Sequence, residues 1–188
     1  MRDLIVTLNE TPWSVALRES LFVWPILEAT HVLSIMLFAG TILMVDIRIL
    51  GWAYKGAEVS DFTKRILPWT VAGFVLLLTT GIVLFYAKPL VYYHNVFFRL
   101  KMTLVLFAMA NILYFHRKLE AAATEVVSAT PPRAARISAG VSLTLWTVVI
   151  VAGRMIAYDW YDCRKLTPGG FLSTIADCPA PVATAMGE

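Results

Sequence analysis

Residues 25–50 read PILEATHVLSIMLFAGTILMVDIRIL, an apolar run with very few charged residues. A helix needs about 20 predominantly apolar residues to cross about 30 Å of hydrocarbon, and a proline is tolerated in its first turn. Comparable runs follow at about 66–87, 95–116 and 135–158. Since helices are the spanning elements that such runs form, the sequence predicts an all-α membrane protein with a four-helix bundle.

The amino-acid composition is also typical of an integral membrane protein. Of the 188 residues, 59% are hydrophobic and 15% are charged, whereas soluble domains have about 45–50% apolar and about 25% charged residues. The net charge of +3 is small, and no basic cluster is interleaved with aromatic residues. The composition therefore excludes nucleic acid as a partner.

The segments outside the four runs complete a single membrane domain, residues 1–188. Thr11 followed by Pro12 predicts the start of a short interfacial helix in the charged N-terminal segment. Pro68 is expected in the first turn of the second span. Residues 51–65 and 117–134 are interpreted as charged linkers, and residues 159–188 as a short extracytoplasmic tail.

Two cysteines favour one orientation of the chain. Cys163 and Cys178 both lie in the tail and are close enough in sequence to form a disulfide, which belongs to an oxidising compartment. With four spans, both termini then face the periplasm of a bacterial inner membrane. The distribution of Lys and Arg between the loops is too even to decide the orientation, and two free thiols in a cytoplasmic tail remain the alternative.

Polar residues recur at helical spacing along the first and fourth runs, so each set shares one face. In the first run these residues are Glu28, His31, Ser34, Thr41 and Arg48. In the fourth run they are Gly140, Thr144, Thr147, Arg154 and Tyr158. Because polar groups are costly in lipid, both faces are expected to look into the bundle.

The ionisable residues among these also lie at similar depth. At about 1.5 Å of rise per residue, the following fall within about 4–10 Å of the outer surface: Glu28, His31, Arg99, Lys101 and Arg154. The inner half of the bundle is expected to be almost entirely apolar. Arg99 and Lys101 lie about 200° apart on a helix, so we expect Arg99 to face inward and Lys101 to reach the headgroups.

This layer predicts a site for one b-type haem. His31 and His94 are the candidate axial ligands, because the third histidine, His116, lies about 20 Å deeper. Arg99 and Arg154 are expected to bind the propionates. Glu28, one turn before His31, is expected to accept a hydrogen bond from an imidazole N–H.

Two alternatives remain open. Copper could bind His31 and His94 together with Met36 or Met102. A haem-free membrane anchor or assembly subunit would instead pair Glu28 with Arg154 or Arg99. The sequence has no nucleophile–base motif that predicts an enzyme acting alone, so the leading hypothesis is an electron-transfer subunit or partner of a redox complex.

Four motifs carry a resemblance to a known family. They are Trp24-Pro25-x-x-Glu28-x-x-His31, Asp46-Ile47-Arg48, Leu67-Pro68-Trp69 and Asn95-Val96-Phe97-Phe98-Arg99-Leu100-Lys101. Over about residues 20–118 the chain resembles an uncharacterised bacterial family of four-helix inner-membrane proteins, a domain of unknown function. A looser likeness to copper-resistance D and cytochrome b561-like membrane proteins implies haem or copper.

Overall fold

In the computed structural model, the chain is described over residues 2–56, 58–123, 132–158, 160–161, 163 and 165–178. The α-helices within these ranges are α1 (Arg2–Asn9), α2 (Pro12–Glu19), α3 (Val23–Leu50), α4 (Val59–Ala87), α5 (Pro89–His94), α6 (Val96–Ala123), α7 (Arg133–Met155) and α8 (Phe171–Ile175). A short 3₁₀ turn, Ile156–Tyr158, continues α7. No strand occurs in these ranges, which confirms the all-α prediction.

Helices α3, α4, α6 and α7 supply segments long and apolar enough to cross a membrane, at Val23–Leu50, Val59–Ala87, Val96–Tyr114 and Arg133–Tyr158. Large apolar side chains point away from the bundle, among them Leu78 (51% exposed) and Leu106 (70% exposed). Such a surface suits lipid and not water. These features are those of a multi-pass membrane protein with a four-helix bundle.

The long helices pack in the order α4, α3, α7, α6, and their shared core lies at mid-length. The core consists of Phe38, Ala108, Trp146 and Val149. The Phe38 and Trp146 rings meet edge to face at 4.8 Å between centroids, an arrangement that aromatic quadrupoles favour. This core separates a polar region near the start of α3 from another near its end.

Helix α3 ends before Gly51, which adopts the left-handed backbone conformation that glycine tolerates. Gly51 has φ 77°, and its N–H donates to the carbonyl of Arg48 while the N–H of Trp52 donates to Ile47. This pattern satisfies carbonyls that the helix end leaves unpaired. The Asp46-Ile47-Arg48 motif therefore occupies the last turns of α3.

Helix α4 begins earlier than expected, at Val59, with Glu58 as its N-cap. Pro68 consequently lies inside the helix, so its predicted place in the first turn is wrong. The apolar run identified the span, but the polar residues before it continue the helix beyond the hydrocarbon. Likewise, α6 extends to Ala123, past the end of its apolar segment at Tyr114.

The N-terminal segment forms two short helices. The Thr11 hydroxyl accepts from the Ser14 N–H and Pro12 occupies the first turn, which confirms the predicted start of α2. The Ser14 side chain is fully buried and donates to the Ala87 carbonyl at the end of α4. Helix α1 was not predicted; it packs against α5. We call this end of the bundle, with α1, α2, α5 and the tail residues 163 and 165–178, the cap end.

The polar face predicted for the fourth span points the other way. Thr144, Thr147, Arg154 and Tyr158 are exposed, and α7 instead buries Ser138, Ser142 and Trp146. The expectation that this face looks inward is wrong. The two threonine hydroxyls donate to the carbonyls of Gly140 and Leu143 on their own helix, so they have hydrogen bonds without a neighbouring helix.

A polar clasp joins α6 to α7. The Asn111 side-chain N–H donates to the Ser138 carbonyl at 3.1 Å, and the Ser138 hydroxyl donates to the Asn111 side-chain oxygen at 3.0 Å. Interhelical hydrogen bonds of this kind hold membrane helices together where the hydrophobic effect offers little.

Replacing Asn111 with alanine is expected to reduce the free energy of unfolding by about 1–2 kcal/mol, because the buried Ser138 hydroxyl loses its partner. Titration with SDS in mixed micelles measures the change. The control is Thr144→Val, which removes a hydroxyl bonded only within its helix. Equal losses in the two variants would argue against the clasp.

Candidate functional site

His31 lies on α3 near the cap end, and its ring is fixed by α4. Its Nδ1 lies 2.8 Å from the Thr80 hydroxyl oxygen. The Thr80 hydroxyl is 2.7 Å from the Leu76 carbonyl, to which it donates, so it accepts from an Nδ1–H of His31. The ring also passes close to Gly81, where an added Cβ would lie 3.3 Å from Cε1. The edge carrying Nδ1 therefore faces α4, and Nε2 keeps a lone pair.

His94 ends α5 and is fixed in a similar way. Its Nδ1 lies 2.9 Å from the Ala176 carbonyl oxygen in the tail. A carbonyl only accepts, so Nδ1 carries the proton and Nε2 keeps its lone pair. For neither His31 nor His94 does any described residue form a hydrogen bond with Nε2. Both predicted ligands therefore have the tautomer in which metal-binding histidines are held.

Arg99 and Lys101 exchange the roles predicted for them. The Arg99 side chain turns toward the cap, where Nε donates to the Tyr93 carbonyl at 3.0 Å and one terminal nitrogen to Ala176 at 3.5 Å. The Lys101 Nζ instead lies 3.6 Å from the place where a Cβ on Gly153 would sit, and it interacts electrostatically with His31. Gly153 leaves room for the Lys101 stem between α6 and α7, so Lys101 is the inward cation.

Glu28 and Arg154 do not take the positions predicted for them. Both side chains are exposed. Thr80, not Glu28, is the hydrogen-bond partner of His31 Nδ1, and Glu28 approaches Tyr92 instead. Burial raises the pKa of the Tyr92 hydroxyl, and the negative charge of Glu28 raises it further. The Arg154 guanidinium lies 5.3 Å from the centroid of the Tyr158 ring, on the outer face of α7.

The additional ligands considered for copper also point outward. Met36 is 66% exposed and Met102 is 45% exposed. Within the described ranges, no three side chains among His, Cys, Asp and Glu are grouped so as to hold a metal ion. Among the imidazole side chains that the structure describes, His31 and His94 are available for such a site.

The tail closes over the cap end through a disulfide. Cys163 and Cys178 are bonded, with their Cα atoms 5.4 Å apart, which confirms the predicted pairing. Next to Cys178, Asp177 accepts a hydrogen bond from the Tyr93 hydroxyl at 2.7 Å. That hydrogen bond, and then the charges of Arg99, His94 and Arg2, hold the pKa of the Asp177 carboxyl below its usual range.

Because the folded-state pKa of Asp177 is depressed, its contribution to tail docking is present at neutral pH and is lost as the pH falls through that pKa. The hydrogen-exchange protection factors of residues 171–178, corrected for the intrinsic exchange rate at each pH, are therefore expected to fall in acid, below the ordinary aspartate pKa of 3.8. The control is Asp177→Asn, in which this acid-dependent step should be absent. An identical step in both proteins would assign it to another group.

A second polar cluster lies toward the far end of the bundle, and sequence reasoning missed it. The buried polar residues there are Asp46, Arg48, Ser138 and Ser142, and Asn111 joins them through Ser138. The expectation that the inner half is almost entirely apolar is wrong. Asp46-Ile47-Arg48 had already stood out as a motif, and Ser138 and Ser142 are one helical turn apart on α7. These two signals could have located the cluster.

This cluster borders a cavity of about 260 Å³ between the four long helices. Asp46 and Ser142 contribute polar atoms, and Phe38 and Phe74 contribute aromatic walls. Ser142 lies beside the Asp46 carboxyl group, and Asp46 Oδ2 has no hydrogen-bond partner among the described residues. Ligand pockets usually have volumes of about 300–1,000 Å³, so this cavity is small. It has room for a single ring but not for a macrocycle such as haem.

Comparison with known proteins identifies the chain's family without assigning an activity. Searches of curated proteins and of solved structures gave no match. The likeness to copper-resistance D and cytochrome b561-like proteins is therefore not established by these comparisons. The family of unknown function DUF6644 matches residues 23–159, a range that includes all four long helices. The chain belongs to this family.

Proposed function

We propose that the chain is a membrane electron-transfer protein that binds one b-type haem through His31 and His94, as a subunit or partner of a redox complex. The supporting observation is that each imidazole uses Nδ1 in a hydrogen bond, to Thr80 and to Ala176, and keeps Nε2 for a ligand. Haem iron takes imidazole nitrogens as axial ligands and carries one electron by changing its oxidation state.

The charged residues near these histidines support a revised set of partners for the propionates. Lys101 supplies the inward positive charge beside His31. Arg99 donates two hydrogen bonds to the carbonyls of Tyr93 and Ala176. Its guanidinium has further N–H groups that can bind a propionate carboxylate. Arg154 is not proposed to bind a propionate, because its side chain faces outward. Thr80 takes the supporting role first given to Glu28.

We further propose that the cap end faces the periplasm and that the membrane is a bacterial inner membrane. The disulfide between Cys163 and Cys178 supports this orientation, because structural disulfides persist in oxidising compartments. The haem would then lie near the periplasmic face, where a soluble or membrane-bound redox partner can approach the cap. A phosphatase reporter fused after residue 178 is expected to be active, and an inactive fusion would reverse the orientation.

The visible spectrum of the protein purified from haem-supplied cells tests the main proposal. We expect a Soret band that shifts on reduction to the position of haem b, with one haem per chain. A colourless protein would contradict the proposal. Copper found by elemental analysis, without Soret absorption, would also contradict it and favour the copper alternative at His31 and His94.

A haem-free anchor or assembly subunit is the second candidate, and one observation favours it. His94 and Arg99 both bind the Ala176 carbonyl, so the two residues hold the tail in place without any cofactor. Under this hypothesis, His94→Ala loosens the tail, as hydrogen exchange would detect, while the wild-type protein is colourless. Under the haem hypothesis, the same variant changes the spectrum.

A further inference from the structure

The cavity near the end of α3 has an unusual wall for a membrane bundle, because it contains an acidic side chain without a full set of partners. Asp46 is only 6% exposed, and its Oδ2 forms no hydrogen bond in the described structure. The Thr63 hydroxyl, which lines the same cavity from α4, is also buried without a hydrogen bond. A buried polar group left unpaired costs about 1–3 kcal/mol, so both atoms favour an occupant that can hydrogen-bond with them.

Other polar groups of the wall have hydrogen-bond partners. Asn111 and Ser138 bond to each other, and the Thr70 hydroxyl donates to the Ile66 carbonyl. The buried atoms of the wall that lack a hydrogen bond in the described structure are Asp46 Oδ2 and the Thr63 hydroxyl oxygen. A ligand with a single polar end would meet it, whereas a sugar or a polyanion would bring polar groups that find no partner.

The rest of the wall is apolar and partly aromatic. Phe38 and Phe74 face the cavity, with ring centroids 5.4 Å apart and planes inclined by 44°. Ile42, Val45 and Ile112 add aliphatic surface. Aromatic walls favour a flat ring as their partner, and an apolar cavity of about 150 Å³ is known to hold benzene. The cavity, at about 260 Å³, has room for one substituted ring.

One wall of the cavity reaches the outer surface of α4. Leu67 and Val71 of α4 line the cavity and are also 42% and 51% exposed on the surface of the span. A ligand dissolved in the bilayer would therefore enter between α4 and α6, the two helices at the ends of the packing order. This route disfavours a hydrated cation, which would have to cross apolar surface to reach Asp46.

We propose that this cavity binds a lipid-soluble phenol, with the ring against Phe38 and Phe74 and the hydroxyl hydrogen-bonded to Asp46 Oδ2. A hydroxyl suits this position in either protonation state of the acid, since it donates to a carboxylate and accepts from a carboxylic acid. Asp46 lies fifteen residues beyond His31 on α3, about 20 Å away. The site is therefore separate from the proposed haem, and neither proposal depends on the other.

Binding of 4-fluorophenol, compared with 4-fluorotoluene, tests the proposal by fluorine NMR on the purified chain in detergent. The two probes have nearly the same shape, and only the phenol has a hydroxyl. Asp46→Leu is expected to lower the ratio of the phenol affinity to the toluene affinity about tenfold, as expected for a hydrogen bond to a charged or acidic group. Ala139→Leu, which fills part of the cavity, is expected to weaken both probes alike.

Three results would overturn the proposal. The first is failure of the wild-type protein to bind 4-fluorophenol saturably, which would exclude the site. A ratio unchanged in Asp46→Leu would show that the acid does not contact the hydroxyl. Displacement of the phenol by sodium chloride, but not by choline chloride at equal ionic strength, would identify a cation site.

Discussion

Replacing His31 with alanine is expected to lower the haem content of the purified protein at least about tenfold, because a haem held without covalent bonds depends on its axial ligands. The ratio of Soret to protein absorbance measures the loss. Adding imidazole to the His31→Ala protein is expected to restore part of the spectrum, since the small ligand can occupy the space of the missing side chain.

The matched control is His116→Ala, which removes the remaining histidine of the chain and is expected to keep the spectrum. Rescue by imidazole separates the loss of a ligand from the loss of the His31–Thr80 hydrogen bond, which imidazole need not repair. Haem retained in full by His31→Ala, or lost equally from His116→Ala, would remove His31 from the proposed site.

Replacing Gly73 with alanine is expected to reduce the free energy of unfolding by about 1–3 kcal/mol through overpacking. An added Cβ would lie 2.9 Å from the Phe38 backbone nitrogen and 3.1 Å from its Cα. These atoms belong to the backbone of α3, so the two helices would have to move apart. SDS titration in mixed micelles measures the change.

Gly40→Ala provides the matched control, because Gly40 is also within a spanning helix and an added Cβ would meet nothing within 4 Å. Alanine there is expected to leave stability unchanged or to raise it by up to about 1 kcal/mol, since alanine favours the helix. If the two variants behave alike, close packing of α3 on α4 at Gly73 does not contribute to stability.

The fold could be predicted because its signals are long and local. Each span is a run of apolar residues, and the start of α2 follows from Thr11 and Pro12 alone. The start of α4 and the end of α6 could not be predicted this way, because polar residues continue both helices beyond their apolar segments. Helix α1 was missed because it has only 8 residues, which is too short for a helical period to be recognised.

The candidate site was predictable only in part, because helical spacing shows which residues share a face but not where that face points. Thr144 and Thr147 satisfy their hydroxyls within α7, so they tolerate lipid and gave a false inward signal. Arg99 and Lys101 could not be distinguished from their own helix, since the Ala176 carbonyl and the gap at Gly153 come from distant parts of the chain.

The two polar regions lie toward opposite ends of the bundle. Near the cap end, His31 contacts α4, Lys101 lies beside Gly153, and His94 binds the disulfide-linked tail. Near the other end, Asp46 and Thr63 line the cavity that is proposed to bind a phenol. The core around Phe38 and Trp146 separates them. Substitutions at Asp46 are therefore expected to leave the haem spectrum unchanged, and substitutions at His31 to leave phenol binding unchanged.

The electron paramagnetic resonance spectrum of the oxidised protein tests most directly whether His31 and His94 bind the same iron. We expect a low-spin ferric signal typical of two imidazole ligands, and we expect His94→Ala protein that retains haem on His31 to give a high-spin signal instead. A preparation without a haem signal, or a low-spin signal that His94→Ala leaves unchanged, would show that His31 and His94 do not bind one iron.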